Sequence, residues 1–216
     1  MKTMGLARLH LVRPARFPDV EADAMASRAT DVLETATVNA TLAEALAETT
    51  FVVASTARMR DLSHEVLAPR EAAARLVREA AAAPVALVFG AERTGLSAKE
   101  VNQCSVISTI PASPLYSSLN LAAAVQIFAY EVRLAAMLPD SLPQALPPAA
   151  SHEEVEHFYV HLEQTMVDTG FLDPDNPKRL MQRMRRLFAR ARLEKEEINI
   201  LRGILAAARQ ERGRSP

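Results

Sequence analysis

Cysteine is nearly absent from this 216-residue chain, with Cys104 the only one. An internal disulfide is excluded, which suits a reducing compartment. Long apolar runs are missing too. No stretch approaches the roughly 18 apolar residues of a membrane span, and no signal-peptide core follows Met1. The chain reads as soluble and cytoplasmic. An excess of either charge is also lacking, because 25 basic residues face 26 acidic ones for a net −1. A polyanionic partner would have to be met by a local basic patch. Metal-ligand patterns are poor. His152 and His157 do not have the four-residue spacing that puts two ligands on one helical face. His157 and His161 do have it, but no acidic or cysteine partner is obvious, so they read as surface or packing residues. No metal is expected. Internal repeats are absent as well. What remains is 49% apolar content, enough for one large domain and an appendage.

The chain is organised around Val85 to Met137. VALVF is a short apolar run rich in β-branched residues, the pattern of a strand buried on both faces. It stops at Gly90, and AERTGLS leads to a helix starting near Ser97. The unit repeats: VISTI ends at Pro111, ASPLYSSLN is a second loop, and LAAAVQIFAYEVRLAAML is a helix. Two consecutive strands are thus expected to end in loops lying side by side at the carboxyl edge of a parallel sheet, where open α/β folds bind ligands. Cys104, just before the second strand, reads as a small core residue. Phe128 and Tyr130 read as core or dimer packing. Ala122, Val125, Ala129, Val132 and Ala136 form a small-residue face that suits a core or a subunit contact.

Upstream, MKTMGL reads as a last helical turn stopped by Gly5. ARLHLV is a strand broken at Arg13-Pro14, DVEADAMAS a helix capped by Asp19, and TATVN a weak strand. Thr41 caps a helix with Glu44 completing a capping box. FVVAS is a buried strand ending at Ser55-Thr56-Ala57-Arg58, and residues 69–83 form an Ala-rich helix. Strands alternating with helices predict an α/β fold with a parallel sheet. Residues 139–150 hold four prolines in twelve positions and form an extended linker.

Beyond the linker the pattern is helical. Val155, Phe158, Tyr159, Leu162 and Met166 share one face. A second helix follows Asn176-Pro177, with apolar Leu180, Met184, Leu187 and Phe188. A third turns Ile198, Leu201, Leu205 and Ala208 inward. The second carries Lys178, Arg179, Arg183, Arg185, Arg186, Arg190 and Arg192 with no acid among them, a stripe that suits phosphates. An isolated helix of this kind is usually a solvated face balanced by residues such as Glu194, Glu196 and Glu197.

Three loops therefore form the first candidate site: Ser55 to Arg58, Gly90 to Gly95, and Pro111 to Asn120. Their small residues permit close backbone approach by a ligand, while Glu92 and Arg93 place a carboxylate and a guanidinium beside it. The wording of the loops is more specific than their spacing. FGAERTGLS followed by IPASPLYSSLNLAAAVQIFAYEVR resembles the second and third motifs of the SPOUT-class RNA 2′-O-methyltransferases. MKTMGL, VVASTAR, FYVHLEQTMVDTGF and NILRGILA carry the resemblance across the linker, toward the bacterial tRNA-methylating members.

The resemblance implies an α/β parallel-sheet SPOUT fold with a C-terminal trefoil knot over residues 1–138, an exception to unknotted topology. It also implies a small all-α extension over 151–216, helping to grip tRNA. S-adenosylmethionine would sit in the knot against Ser55, Thr56, Ala57, Gly90, Ile110, Ser117, Ser118 and Leu119. The catalytic polar residues would be Glu92, Ser118 and Asn120, with Arg93 and Tyr116 flanking. RNA would meet Arg58, Lys178, Arg179, Arg183, Arg185, Arg186 and Arg190. The implied reaction is in-line attack of a ribose 2′-hydroxyl, at the first nucleotide of the tRNA anticodon loop, on the sulfonium methyl. The family pairs as homodimers through helices near the knot. Its first motif, an Asn-Gly-rich loop with the arginine assigned as base, would stand just before MKTMGL. This sequence is expected to lack it and one sheet strand, through a misplaced start. The rival expectations are an RNA-binding protein without turnover and a relative acting on ribosomal RNA.

Overall fold

The computed structural model describes residues 1–57, 64–113, 115, 119–137 and 149–212. In chain order, a short 3-10 turn at Lys2–Met4 precedes β1 (His10–Val12), α1 (Val20–Ala26), α2 (Thr30–Glu34), β2 (Thr37–Asn39), α3 (Leu42–Leu46) and β3 (Phe51–Ser55). Next come β4 (Val66–Leu67), α4 (Pro69–Ala80), β5 (Val85–Phe89), α5 (Ala98–Val101), β6 (Val106–Ser108) and α6 (Leu121–Met137). The last three elements are α7 (His152–Asp168), α8 (Leu180–Ala191) and α9 (Lys195–Arg212). The α/β alternation is as the sequence implies, while α2 and β4 are additional.

Local chemistry sets most of the boundaries. Gly5 has φ 79° and closes the opening turn, a left-handed conformation cheap only for glycine. Asp19 accepts from the Glu21 N–H at 2.9 Å, and Thr41 from the Glu44 N–H at 3.2 Å. The Glu44 carboxylate does not complete the expected box on Thr41; it accepts from the Ala40 N–H, one residue earlier. Pro69 sits in the first turn of α4, where its missing N–H costs nothing. Ser97 and Glu100 cap α5 reciprocally, and so do Ser151 and Glu154 at α7.

β1 and β2 pair in parallel as a two-stranded sheet, and a four-stranded parallel sheet runs β4-β6-β3-β5. Sequence neighbours β5 and β6 are therefore not spatial neighbours. Both flank β3, so its end stands between their loops. This order also corrects the reading of VALVF: among the described residues β5 borders β3 alone and is half-buried along its length, whereas β3 is buried from Phe51 to Ala54. β3 is covered on both faces. Phe51 and Val53 pack with Ala72 and Leu76 of α4 and with Val106. Val52 and Ala54 pack with Leu46, Leu96, Cys104 and Ile107. Each large apolar side chain so buried contributes about 1.5–3 kcal/mol. Phe128 on α6 is fully buried and meets Phe89 edge-on at 5.7 Å, whereas Tyr130, Ala122 and Ala136 are exposed. Cys104 is buried, and burial pushes its thiol up to about 12.

The last three helices have their own core. Phe158, Tyr159, Leu162, Met166, Leu172, Leu193 and Ile198 form one buried cluster, and Phe188 meets Phe158 edge-on at 4.9 Å. Leu187 and Ala208, expected inside, are exposed, and Met181 packs against the cluster instead. The two bodies join at the amino edge of the sheet. His152 N–H donates to the Thr49 carbonyl at 2.6 Å and Glu153 N–H to the Ala47 carbonyl at 3.2 Å. Arg192 Nε donates to Glu79 Oε2 at 2.7 Å, and that glutamate is 2% exposed. A cavity of about 80 Å³ lies between the bodies, lined in part by Thr49, His64, Cys104, His152, Tyr159 and Arg192.

This junction makes two predictions. Arg192→Ala should lower stability by about 2 kcal/mol, because it removes the hydrogen-bonded partner of the buried Glu79 and leaves that carboxylate, among the described residues, only the 3.7 Å contact to Arg78; chemical denaturation measures it, and a change below about 0.5 kcal/mol would show the pair is not a determinant. The second concerns pH. Burial holds the His152 imidazole below its ordinary 6.5, with the Arg185 charge also lowering it and Glu156 opposing, and its buried Nε2 has no hydrogen-bond partner among the described residues. The unfolded chain then binds the proton more readily, so this contribution is complete above about 6.5 and is lost as pH falls toward the folded value. The melting temperature should drop between pH 8 and 5.5, and drop less in His152→Gln.

Candidate active site at the carboxyl edge of the sheet

The pairing register brings the candidate loops together. Ser55 is in register with Phe89 on one side and Ser108 on the other, so the three strands end at one level. From β3 the chain runs to β4 beyond β6, crosses by α4 to β5 on the other flank, and returns by α5 to β6, with α5 and α6 on opposite faces of β3. Such a switch point opens a crevice at the carboxyl edge. Ser55 and Thr56 are half-buried beside it, and Ala57 is exposed. The Ala57 N–H has no hydrogen-bond partner among the described residues.

The second loop is a closed turn. Gly95 N–H donates to the Ala91 carbonyl at 2.7 Å, with Gly95 at φ 65°. A Cβ on Gly90 would lie 2.2 Å from the Gly95 carbonyl carbon and 2.3 Å from the Leu96 nitrogen. Only glycine allows that approach. Leu96, buried in the cluster beneath, pins the far side of the turn. Glu92 and Arg93 are thereby held out, exposed.

The second and third loops meet at the start of α6. Asn120 Oδ1 accepts from the Ala123 N–H at 2.7 Å, and Glu92 Oε1 accepts from the Leu121 N–H at 3.4 Å. Two first-turn donors of a 17-residue helix are thus satisfied by side chains at the crevice, and the negative carboxylate suits the positive end of the helix dipole. Ile110 and Leu119 are half-buried at the ends of the third loop. Of the sequence-predicted residues, Ser55, Thr56, Ala57, Gly90, Glu92, Arg93, Ile110, Leu119 and Asn120 stand on these three loops. Ser117, Ser118, Arg58 and Tyr116 lie outside the described residues, as do 139–148 of the linker. Thr109 is an addition: its hydroxyl donates to the Thr56 carbonyl at 2.9 Å. Nothing in the spacing of the motifs singles it out.

The basic stripe of α8 divides. Lys178, Arg179, Arg183, Arg186 and Arg190 are exposed. Arg185 is turned inward, paired through both guanidinium nitrogens with Glu156, 4.4 Å above the Tyr159 ring, and its carbonyl accepts from the Tyr159 hydroxyl. Burial opposes its charge, but the Glu156 carboxylate outweighs that and holds its pKa above the ordinary value. Arg192 belongs to the Glu79 pair. Among the described residues, no group of three or more His, Cys, Asp and Glu side chains could hold a metal, and no helix is long and apolar enough to cross a membrane.

Comparison with known proteins places this architecture. Residues 1–130 match the SpoU rRNA Methylase family, and residues 153–216 match the C-terminal domain of the tRNA methyltransferase TrmJ. The tRNA (cytidine/uridine-2′-O-)-methyltransferase TrmJ of Klebsiella pneumoniae is 49% identical over 98% of this chain and 88% of its own length. That of Cronobacter sakazakii is 47% identical over 100% of this chain and 90% of its own. Among solved structures, TrmJ from Zymomonas mobilis (Z. mobilis ZM4) is 35% identical, with a TM-score of 0.83 over 96% of this chain and 89% of that one. A probable methylase family protein from Haemophilus influenzae, also 35% identical, gives 0.61 over 98% and 88%. The chain belongs to the SpoU methylase family and within it is similar to the TrmJ proteins.

Proposed function

We propose that this chain methylates a ribose 2′-hydroxyl of tRNA, at the first nucleotide of the anticodon loop, with S-adenosylmethionine as donor. The observation that carries the reading is the crevice at the β3 switch point, where three small-residue loops meet beside Glu92 and Asn120. The residues fit such a cofactor. The Ala57 N–H has no described partner, and Ile110 and Leu119 offer half-buried apolar surface to a ring. S-adenosylmethionine, when bound, supplies the electrophilic methyl. Ser55, Thr56, Ala57, Gly90, Ile110, Ser117, Ser118 and Leu119 form its pocket in this reading, within a knotted C-terminal part of the 1–138 domain. Glu92 and Asn120 fix the start of α6, and Arg93 offers a guanidinium to an RNA phosphate. Holding the hydroxyl in line supplies much of the rate.

The helical part is the RNA grip. Residues 150–205 hold a hydrophobic cluster separate from those of the sheet, which supports a 151–216 domain joined by a 139–150 linker. Lys178, Arg179, Arg183, Arg186 and Arg190 would meet phosphates, along with Arg58, while Arg185 holds the helix to α7. The protein works as a cytoplasmic homodimer paired near α6, whose Tyr130 is 49% exposed. The helical match to a tRNA methyltransferase domain favours tRNA over ribosomal RNA.

Calorimetric titration should show one S-adenosylmethionine site per chain, with labelled methyl transferred to tRNA. A folded chain that binds no cofactor would replace this reading with an RNA-binding protein without turnover, and transfer to ribosomal RNA alone would change the substrate. Asn120→Ala should abolish transfer and, as a lost cap, cost about 1 kcal/mol of stability. Asn120→Asp should keep the stability. Replacing Arg183, Arg186 and Arg190 together by alanine should weaken tRNA binding and reduce the slope of log affinity against log salt by about 3, cofactor affinity being unchanged. An unaltered slope would remove α8 from the RNA surface.

A further inference from the structure

β3 and β6 end on the same pair of residues. The last β6 residue in register with it is Ser108, opposite Ser55. The ladder continues one step beyond, because the Thr56 N–H donates to the Ser108 carbonyl at 3.1 Å. In a regular parallel ladder the Thr56 carbonyl would next face the Ile110 N–H, two residues beyond Ser108. The Thr109 N–H faces β4 by the ordinary alternation of the strand, as the Ile107 N–H does, and donates to the Leu67 carbonyl at 3.3 Å. Toward β3 it is the Thr109 hydroxyl that reaches across, donating to the Thr56 carbonyl at 2.9 Å. Ser108, fully buried, donates its own hydroxyl to the Leu67 carbonyl at 3.0 Å and so holds β6 against β4. Thr109 is thus a side-chain extension of the sheet, tying the first loop of the crevice to the third.

The consequence falls on the next peptide. The Thr56–Ala57 bond is trans, since the one cis bond among the described residues is Phe17–Pro18. In a planar trans peptide the carbonyl and the following N–H point in opposite directions. With the Thr56 carbonyl drawn toward β6, the Ala57 N–H is directed to the other flank of β3, where β5 ends and the Gly90 turn begins. That N–H has no described partner. We infer that Thr109 is a positioning residue for the methyl donor: its hydroxyl locks the Thr56 carbonyl so that the Ala57 N–H stays aimed into the crevice as a ligand donor. This rests on the reading of the crevice as the S-adenosylmethionine site. Thr109 touches no reacting atom in this scheme and acts through the 56–57 peptide.

The sheet supplies its own control. At the amino end of β3 the Thr50 hydroxyl donates to the Pro84 carbonyl at 3.4 Å, the same kind of bond at the opposite edge. Calorimetric titration of S-adenosylmethionine into the full chain, with steady-state kinetics on tRNA, tests the assignment. Thr109→Val, which keeps the shape and removes the hydroxyl, should raise the dissociation constant and the KM for S-adenosylmethionine roughly tenfold, the loss expected for one preorganised hydrogen bond. At saturating donor, kcat should stay within about twofold. Thr109→Ser should restore affinity, Thr109→Ala should lose it, and Thr50→Val should leave it unchanged. Equal affinity in Thr109→Val and the parent overturns the inference, as does an equal loss in Thr50→Val, which would mark a general effect of loosening β3. A parent chain that binds no S-adenosylmethionine overturns the cofactor reading itself and this inference with it.

Discussion

Everything at the candidate site depends on the hydrogen bonding of β3 from both sides. A strand with a parallel neighbour on each flank has its carbonyls and N–H groups committed along its length. The helices that follow β5 and β6 pack on opposite faces of β3, α5 through Val101 beside Val52 and Ala54 and α6 through Val132 beside Phe51 and Val53, so the two connections diverge at the carboxyl edge. The crevice is the space left by that divergence. Its walls are the three loops, and its spacing is that of the strands, about 4.8 Å apart. Because Phe51 to Ala54 are buried on both faces, β3 cannot shift register without exposing one packed layer or the other. The loops inherit that rigidity. Gly90 closes one wall by a backbone approach that no Cβ would permit, and the start of α6 closes another through Asn120 and Glu92.

The helical part meets the sheet at the other edge. β3 is five residues long, so the two edges stand about 16 Å apart. The contact combines two backbone hydrogen bonds into 47–49 with a buried ion pair, Glu79–Arg192, in which Arg192 stands at φ 50° just after α8. This arrangement sorts the arginines of the basic helix by role. Arg192 and Arg185 are consumed in holding α8 to α4 and α7. Arg183, Arg186 and Arg190 stay in solvent. A nearly neutral chain can in this way present a local positive surface, because its acids are distributed elsewhere or paired inward.

Much of this was legible before any coordinates. The caps at Asp19 and Thr41 are local chemistry, set by side chains that reach N–H groups two or three residues away; those at Ser97 and Ser151 are of the same kind but were not singled out. The apolar face of α7 follows from helical period, and the strand-loop-helix repeat predicted where small residues would gather. The misses have a common cause. VALVF and FVVAS look alike as apolar runs, yet among the described residues β5 borders one strand and β3 two, a matter of order in the sheet. Leu187 reads as inward by period, but α8 is covered on one side only, and Met181 takes the inner place. β4, two residues long, is a strand only because β6 lies alongside it.

The sequence by itself determined what depends on neighbours along the chain: the helix starts, the turns that demand glycine, the apolar periods and the motif wording that carries family membership. Only the tertiary structure decided what depends on partners far apart. Which arginine faces phosphate and which faces Glu156, which strand is central, and which hydroxyl completes the ladder at Thr56 are of this kind. The physical reason is range. A cap or a turn is settled within a few residues, whereas Thr109 meets Thr56 across 53 positions and Arg192 meets Glu79 across 113. Those pairings exist only after the sheet order and the docking of the helices have been fixed by burial.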